Sequence, residues 1–172
     1  MTDPTILSRR ALGLNPRVVN FNRITSRPLL PHGLGLVVVH YPGVNVDYAF
    51  QDLGKVARSI EAWKPGEYNY LIHPSGLIGE LAGEYQAAHC KGYNDRSYGI
   101  NVLVGVGKNV SDAQVSSFRW LIGALAFGGR VSTTPMIVQH GWLAATACPG
   151  PVKQRWNEMT VGLRWDGSGA GV

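Results

Sequence analysis

Short aliphatic runs alternate with helical patterns along this chain, and the alternation limits the folds open to it. The run Leu36–His40 holds four aliphatic residues before a histidine, and Tyr41-Pro42-Gly43 then predicts a turn. From Asp47 to Trp63 apolar residues recur every three or four positions, which predicts an amphipathic helix. A strand followed by a helix that can cover it is typical of an α/β domain.

The rest of the chain continues the alternation. Two short apolar runs flank Pro74-Ser75-Gly76, which predicts a hairpin. Ser111 and Gln114 form a capping-box pattern that opens a helix, and Gly128-Gly129 closes it. Pro151 fits the first position of a last helix. The strands predicted after Leu36–His40 are Tyr68–His73, Leu77–Glu80, Tyr98–Val104 and Met136–Gln139.

The chain divides into three segments, and its 172 residues leave room for one ordinary domain. Residues 1–33 contain several prolines and no sustained period, which predicts an irregular extension packed on or flanking the domain. Residues 34–165 form the domain. The Gly-rich residues 166–172 are typical of a flexible tail or linker stub.

The charge of the chain favours an anionic partner. Its 16 Lys and Arg outnumber 11 Asp and Glu, and the net charge of +5 suits nucleic acid, a membrane surface or a bacterial wall polymer. Nucleic acid is disfavoured because no basic run is interleaved with aromatic residues. No apolar stretch approaches the roughly 20 residues of a membrane span, so we expect no stable membrane insertion. The N-terminus has no legible secretory signal.

Two histidines and a cysteine stand where a catalytic zinc site would form. His40 and His140 each follow an aliphatic run, and Cys148 precedes Pro149-Gly150; the ends of strands are where open sheets place ligands. Two imidazoles and one thiolate suit zinc, and three protein ligands leave a fourth position for water. A second hypothesis takes Cys148 as a nucleophile activated by either histidine. Any one of these residues alone is more often a packed core residue than a ligand.

Three strings of residues carry a resemblance to a known family. They are Val37-Val38-Val39-His40, then His89-Cys90-Lys91-Gly92-Tyr93-Asn94 followed by Ser97-Tyr98-Gly99-Ile100, and finally His140 to Gly150. From about Leu36 to Trp156 the chain resembles the zinc-dependent N-acetylmuramoyl-L-alanine amidases of type 2, which include the amidase-type phage lysozymes and the peptidoglycan recognition proteins. The resemblance implies a mixed central sheet of about five or six strands flanked by helices, with residues 34–165 as the zinc amidase domain.

The resemblance also implies roles for the residues that match. His40, His140 and Cys148 would hold the zinc ion. Tyr68 and Thr146 would be catalytic, through hydrogen bonds to the tetrahedral oxyanion or to zinc-bound water. Threonine at position 146 agrees with many recognition-protein amidases, whereas the phage lysozymes have lysine there. From the residues alone, Tyr68 equally suits a strand aromatic packed on the sheet.

Four further positions match those that contact substrate in the family, namely His89, Lys91, Asn94 and Asn101. From the residues alone, Asn94 also suits a turn and His89 a loop cap. Some cytoplasmic amidases of the family place a carboxylate, assigned as general base, where this chain has Asn101. An amide side chain cannot accept that proton, so the departure shifts more of the chemistry onto the metal.

The activity implied is hydrolysis of the amide bond between the lactyl group of N-acetylmuramic acid and L-alanine by zinc-activated water, with bacterial peptidoglycan as the partner. The likeness of Lys91-Gly92-Tyr93-Asn94 to the phage lysozymes implies a phage endolysin that stays in the host cytoplasm until its release to the cell wall. A C-terminal wall-binding domain would then follow in a longer chain. The alternatives are a non-catalytic peptidoglycan-binding module, against which Cys148 weighs, a Cys-His thiol amidase or peptidase, and a partner-regulating protein.

Overall fold

A six-stranded mixed sheet forms the centre of the computed structural model, which describes residues 3–16 and 35–163. Helices flank the sheet, as predicted, and the α/β fold class is confirmed. The strands are β1 (Ile6–Leu7), β2 (Leu36–His40), β3 (Tyr70–Ile72), β4 (Ile78–Glu80), β5 (Ser97–Val102) and β6 (Met136–Gln139). The helices are α1 (Leu53–Trp63), α2 (Asp112–Phe127), α3 (His140–Leu143) and α4 (Trp156–Thr160).

The order of the strands gathers three strand ends at one place. The order is β1-β4-β3-β5-β2-β6, so β2 lies between β5 and β6. Neighbouring strands run parallel except β3 and β4, which form the predicted hairpin. His40 ends β2 opposite Asn101 of β5, and His140 follows β6 directly. Because parallel strands share a direction, these residues meet at the same edge of the sheet.

The two faces of the sheet bury different neighbours, since side chains alternate along each strand. Val37 and Val39 face the cluster that contains Phe118 of α2 and Met159 of α4. Val38 lies on the other face and packs with Cys90. Helix α1 covers the remainder of that second face, where Leu53, Val56 and Ala57 pack with Leu71 and Leu103. His40 follows the same alternation as Val38, and therefore also lies on the second face.

Side-chain caps set where the two long helices begin. The Ser111 hydroxyl accepts a hydrogen bond from the Gln114 N–H while the Gln114 side chain accepts one from the Ser111 N–H, so the predicted capping box is confirmed. The predicted start of α1 at Asp47 is wrong. Asp47 caps a separate 3-10 turn, Tyr48–Phe50, and Asp52 caps α1 by accepting a hydrogen bond from the Lys55 N–H. Two acidic residues that both suit an N-cap made the boundary ambiguous.

The last predicted helix is also corrected. Pro151 lies in a 3-10 segment, Gly150–Arg155, and the α-helix begins only at Trp156. Proline fixes φ and lacks an N–H, which suits the first turn of either helix type. The residue pattern therefore located a helical segment without specifying its hydrogen bonding.

The N-terminal residues 3–16 add an edge strand and a core side chain to the domain. Strand β1 pairs parallel with β4, and Leu12 is fully buried in the α1 cluster. Arg9 ties the segment to α1 through a 2.8 Å ion pair with Glu61 and also donates to the Leu81 carbonyl at 2.6 Å. The predicted tail at 166–172 lies outside the described residues, and the boundaries at 33 and 165 stay predictions. Among the helices described, none combines the length and apolarity needed to cross a membrane.

Candidate metal centre

The side chains of His40, His140 and Cys148 converge at the carboxyl edge of the sheet. One ligand atom from each lies within 4.8 Å of the others. The Cys148 Sγ is 3.8 Å from the Nδ1 of His40, and the two imidazole rings have centroids 4.5 Å apart. His40 and Cys148 are buried whereas His140 is half-buried, so the cluster extends to the protein surface.

A glycine brings the cysteine back to the second histidine. The Gly141 N–H donates to the Cys148 carbonyl at 2.8 Å. A Cβ at position 141 would lie 2.7 Å from the Thr146 carbonyl oxygen and 2.8 Å from that of Cys148, closer than side-chain carbons approach backbone. The Thr146 hydroxyl oxygen accepts from the Cys148 N–H at 3.2 Å. The segment after His140 can therefore close on itself only because residue 141 has no side chain.

Burial holds the three ligands in their neutral forms. Burial lowers the pKa of His40 well below its usual value, with His89 and His140 as lesser causes, and it lowers the pKa of His140 as well. Burial raises the pKa of the Cys148 thiol to about 11. Neutral imidazoles can ligate a metal directly, whereas the thiol must first lose its proton.

The donor set and its spacing fit zinc. Nitrogen and sulfur ligands are those that zinc prefers, and tetrahedral bonds of about 2.0–2.1 Å to nitrogen and about 2.3 Å to sulfur place the two donor atoms about 3.6 Å apart. The 3.8 Å between the His40 and Cys148 donors is close to that spacing. Sequence analysis predicted this set of ligands, and the structure brings all three together so that they could hold a metal ion.

Tyr68 and Asn101 lie beside His40. The Tyr68 ring is buried with its centroid 5.3 Å from that of His40. Burial raises the Tyr68 pKa far above its usual value, with the charges of Glu67 and Cys148 as lesser causes, so the hydroxyl remains protonated. Asn101 is fully buried, and its amide opposes that pKa shift from close by. Apart from this weak contact with Tyr68, neither polar atom of the Asn101 amide has a hydrogen-bond partner among the residues described.

The loop after Ala88 holds the other predicted substrate residues in unlike environments. His89 is buried, with both ring nitrogens within hydrogen-bond distance of protein groups. The Asn94 side chain accepts from the Cys90 N–H at 2.7 Å and so closes the loop, while Gly92 has a φ of +84°. The Lys91 side chain is exposed. Substrate contacts by these three residues and by Asn101 stay predictions. Thr146 is exposed, and its catalytic role also stays a prediction.

Sequence reasoning missed one charged residue of this region. Glu67 is buried beside Tyr68, and its carboxylate forms an ion pair with the Lys64 ammonium group at 2.8 Å. Its charge contributes to the raised pKa of both Tyr68 and Cys148. The string Glu67-Tyr68-Asn69-Tyr70 predicts a strand that contains Tyr68. Nothing in this local pattern indicates that the Glu67 carboxylate lies close enough to affect the pKa of Cys148.

Fold and site together define an α/β protein with a His-His-Cys cluster able to hold a metal ion. The sequence profile of the N-acetylmuramoyl-L-alanine amidases matches residues 33–151. The chain belongs to that family, whose fold is shared by proteins that hydrolyse or bind peptidoglycan. No curated protein sequence matches the chain.

Solved structures of peptidoglycan recognition proteins share the fold. Drosophila PGRP-SA is 23% identical, with a TM-score of 0.78 and 94% of each chain covered. Human PGRP-IBETAC, solved with glycosamyl muramyl pentapeptide, is 21% identical with a TM-score of 0.76, over 94% of this chain and 99% of that one. Drosophila PGRP-LB is 22% identical with a TM-score of 0.71, over 91% and 96%. At these identities the likeness establishes the fold alone.

Proposed function

We propose that this chain is a zinc-dependent amidase that hydrolyses the bond between the lactyl group of N-acetylmuramic acid and the L-alanine of the stem peptide. The observation that carries the proposal is the convergence of His40, His140 and Cys148 within 4.8 Å in a chain of the amidase family. A structural zinc site would have four protein ligands, whereas a catalytic one has three and an open position. The described residues supply three such ligands, one of them half-buried.

When bound, zinc supplies a Lewis acid and lowers the pKa of water to about 7. The protein contributes hydrogen-bond donors to the same place. Tyr68 keeps its hydroxyl proton because burial raises its pKa, so it acts only as a donor, toward the oxygen of the scissile carbonyl as charge develops there. Its ring is fixed against His40 by burial, which limits the loss of entropy when the donor is used.

Thr146 combines a structural bond with a free donor. Its oxygen accepts from the Cys148 N–H, which leaves the hydroxyl hydrogen available to a bound substrate.

Asn101 presents a carboxamide to the same region and orients polar groups without taking a proton, because an amide is neither acid nor base at neutral pH. Lys91, Asn94 and His89 belong to the loop beside the cluster, and we propose that exposed Lys91 meets the stem peptide or glycan.

The thiol-nucleophile hypothesis is the second candidate, and the electrostatics disfavour it. A nucleophilic cysteine needs a lowered pKa, usually through an adjacent imidazolium. Here burial raises the pKa of Cys148 to about 11 and lowers that of His40, so the ion pair of thiolate and imidazolium is disfavoured on both sides. A divalent cation bound between Cys148 and His40 would instead favour the thiolate form of the cysteine.

We also propose bacterial peptidoglycan as the substrate and partner, and a phage endolysin as the setting. The family match supports the substrate. The proposal of a phage origin rests on the likeness of Lys91-Gly92-Tyr93-Asn94 to phage lysozymes. Such an enzyme would remain in the host cytoplasm until release to the wall, with a wall-binding domain in a longer chain. The net charge of +5 would favour adhesion to anionic wall polymers, with a rate that falls as salt rises.

Mass spectrometry of peptidoglycan digested by the zinc-loaded protein tests the proposed reaction. The expected product is a stem peptide with a free L-alanine amino terminus beside an intact disaccharide, and a chelator abolishes its formation until zinc is restored. New reducing sugar ends, activity that survives complete metal removal, or binding without any cleavage would each contradict the proposal.

A further inference from the structure

A third histidine, His89, lies directly behind the imidazole of His40 that faces the metal site. The Nε2 of His40 lies 3.1 Å from the Nδ1 of His89, and the two rings are nearly perpendicular, at 85°. The Nε2 of His89 lies 3.3 Å from the Ser97 carbonyl oxygen and 3.2 Å from the Ser97 hydroxyl oxygen. Both nitrogens of the buried His89 ring are thus occupied by protein groups.

The direction of each hydrogen bond follows from the groups at the far end. The Ser97 hydroxyl donates to the Tyr93 carbonyl at 2.6 Å, so its oxygen can only accept from His89. The Ser97 carbonyl is an acceptor as well, and the Nε2 of His89 must therefore carry the proton. In a neutral imidazole the other nitrogen is then an acceptor. The His89 Nδ1 accordingly accepts from the His40 Nε2.

This chain of bonds fixes the tautomer of the metal-facing ring. If the proton of neutral His40 sits on Nε2, the lone pair is on Nδ1, the atom that faces the Cys148 sulfur at 3.8 Å. We propose that His89 is a positioning residue that holds His40 in the tautomer and orientation able to ligate zinc, rather than a residue that binds substrate. The inference rests on the zinc site of the proposed function.

The strand beneath His89 is shaped to admit its ring. A Cβ on Gly99 would lie 2.3 Å from the Cγ of His89, so the imidazole occupies the space a side chain would need. Ser97 and Asn101 flank Gly99 on the same face of β5, because side chains alternate along the strand. The Asn94 bond to the Cys90 N–H holds the loop from the other side. Two of the three strings that carry the family resemblance, the one that ends in His40 and the one that begins at His89, therefore meet at this contact.

Zinc affinity of two matched variants tests the role of the acceptor. His89→Phe keeps an aromatic ring and removes the acceptor, whereas His89→Asn keeps an acceptor oxygen where Nδ1 stood. Removing the partner of a metal-ligating histidine typically costs about 10–100-fold in affinity, so we expect that loss for His89→Phe, measured by competition with a chromophoric chelator. Affinity close to that of the wild type is expected for His89→Asn. Any other order of the two affinities, or equal values, would overturn the proposal.

Nitrogen-15 NMR of the metal-free wild-type protein gives a readout that needs no variant to fold. The expected pattern is a proton on Nε2 of both His40 and His89, and a proton on the Nδ1 of His40 would overturn the inference. This measurement separates two kinds of failure. A wild-type protein that binds no zinc contradicts the proposed function, while the tautomer of His40 decides the role of His89 by itself.

Discussion

The sulfur of Cys148 lies 3.8 Å from the Nδ1 of His40, although the two residues are 108 positions apart in the sequence. Burial holds the thiol pKa near 11 and the imidazole pKa well below its usual value. At neutral pH the metal-free pair is therefore a thiol beside a neutral imidazole. A metal cation that binds here must displace the thiol proton.

The pH dependence of zinc binding follows from that proton. Below the thiol pKa of about 11 the free site carries a proton that the zinc-bound site lacks, so raising the pH favours binding. We expect the apparent affinity to rise about tenfold per pH unit through the neutral range, where the histidines are already neutral. Competition against a chelator of known pH dependence measures the slope. An affinity independent of pH would mean that Cys148 is already a thiolate, which would favour the thiol-nucleophile hypothesis.

Gly141→Ala should open the cluster. The new Cβ would press on the carbonyl oxygens of Thr146 and Cys148, and the cysteine would move away from His140. Zinc affinity should fall by at least about tenfold, in line with the loss of ligand orientation. Gly123→Ala is the matched control, because a Cβ there meets nothing within 4 Å on the exposed side of α2. Equal zinc affinity in the two variants would contradict the proposed closure of the segment.

Tyr68→Phe should separate catalysis from metal binding. The ring would keep its place beside His40, while the donor to the developing oxyanion would be lost. Removal of one such donor typically lowers kcat by about 10²–10³-fold. Zinc affinity should stay at the wild-type value. Unchanged kcat on purified peptidoglycan would show that the hydroxyl has no part in the reaction, and a parallel loss of zinc would assign Tyr68 to the metal centre instead.

Asn101→Leu should raise the stability of the protein and lower its amidase activity. The buried amide makes only a weak hydrogen-bonding contact, with the Tyr68 hydroxyl, among the residues described, and a poorly satisfied buried polar group costs about 1–3 kcal/mol. An apolar side chain of similar size should raise the free energy of unfolding by up to about that amount, as measured by urea denaturation. Amidase activity should fall, since polar groups retained at such a cost usually serve the site. A less stable variant would mean that the amide is satisfied in solution.

The arrangement of strands and ligands was largely readable from the sequence. Aliphatic runs predicted β2 and β6. His40 is the last residue of β2 and His140 directly follows β6, so the parallel pairing of the two strands brings these histidines together. Cys148 follows in the same loop. The capping box at Ser111 is a local feature, so its helix was predicted from local residues alone.

Other features depended on distant contacts that a residue pattern does not contain. Strand β1 is only two residues long, and its register is set by pairing with Ile78 and Gly79. The contact of His89 with His40 depends on the missing side chain of Gly99, which no local pattern shows, while the predicted substrate contact of His89 stays a prediction. Glu67 escaped notice because only tertiary packing places its charge near Cys148.

X-ray absorption at the zinc edge tests the three-residue centre most directly. Cys90 is a buried free thiol outside the cluster, so the zinc-loaded Cys90→Ser variant leaves Cys148 as the only thiol in the chain. The predicted spectrum contains one sulfur at about 2.3 Å and two imidazole nitrogens at about 2.0–2.1 Å. Cys148→Ser should lose the sulfur and keep Cys90 unligated. A zinc shell without sulfur in Cys90→Ser, or with sulfur in Cys148→Ser, would contradict the centre proposed for this protein.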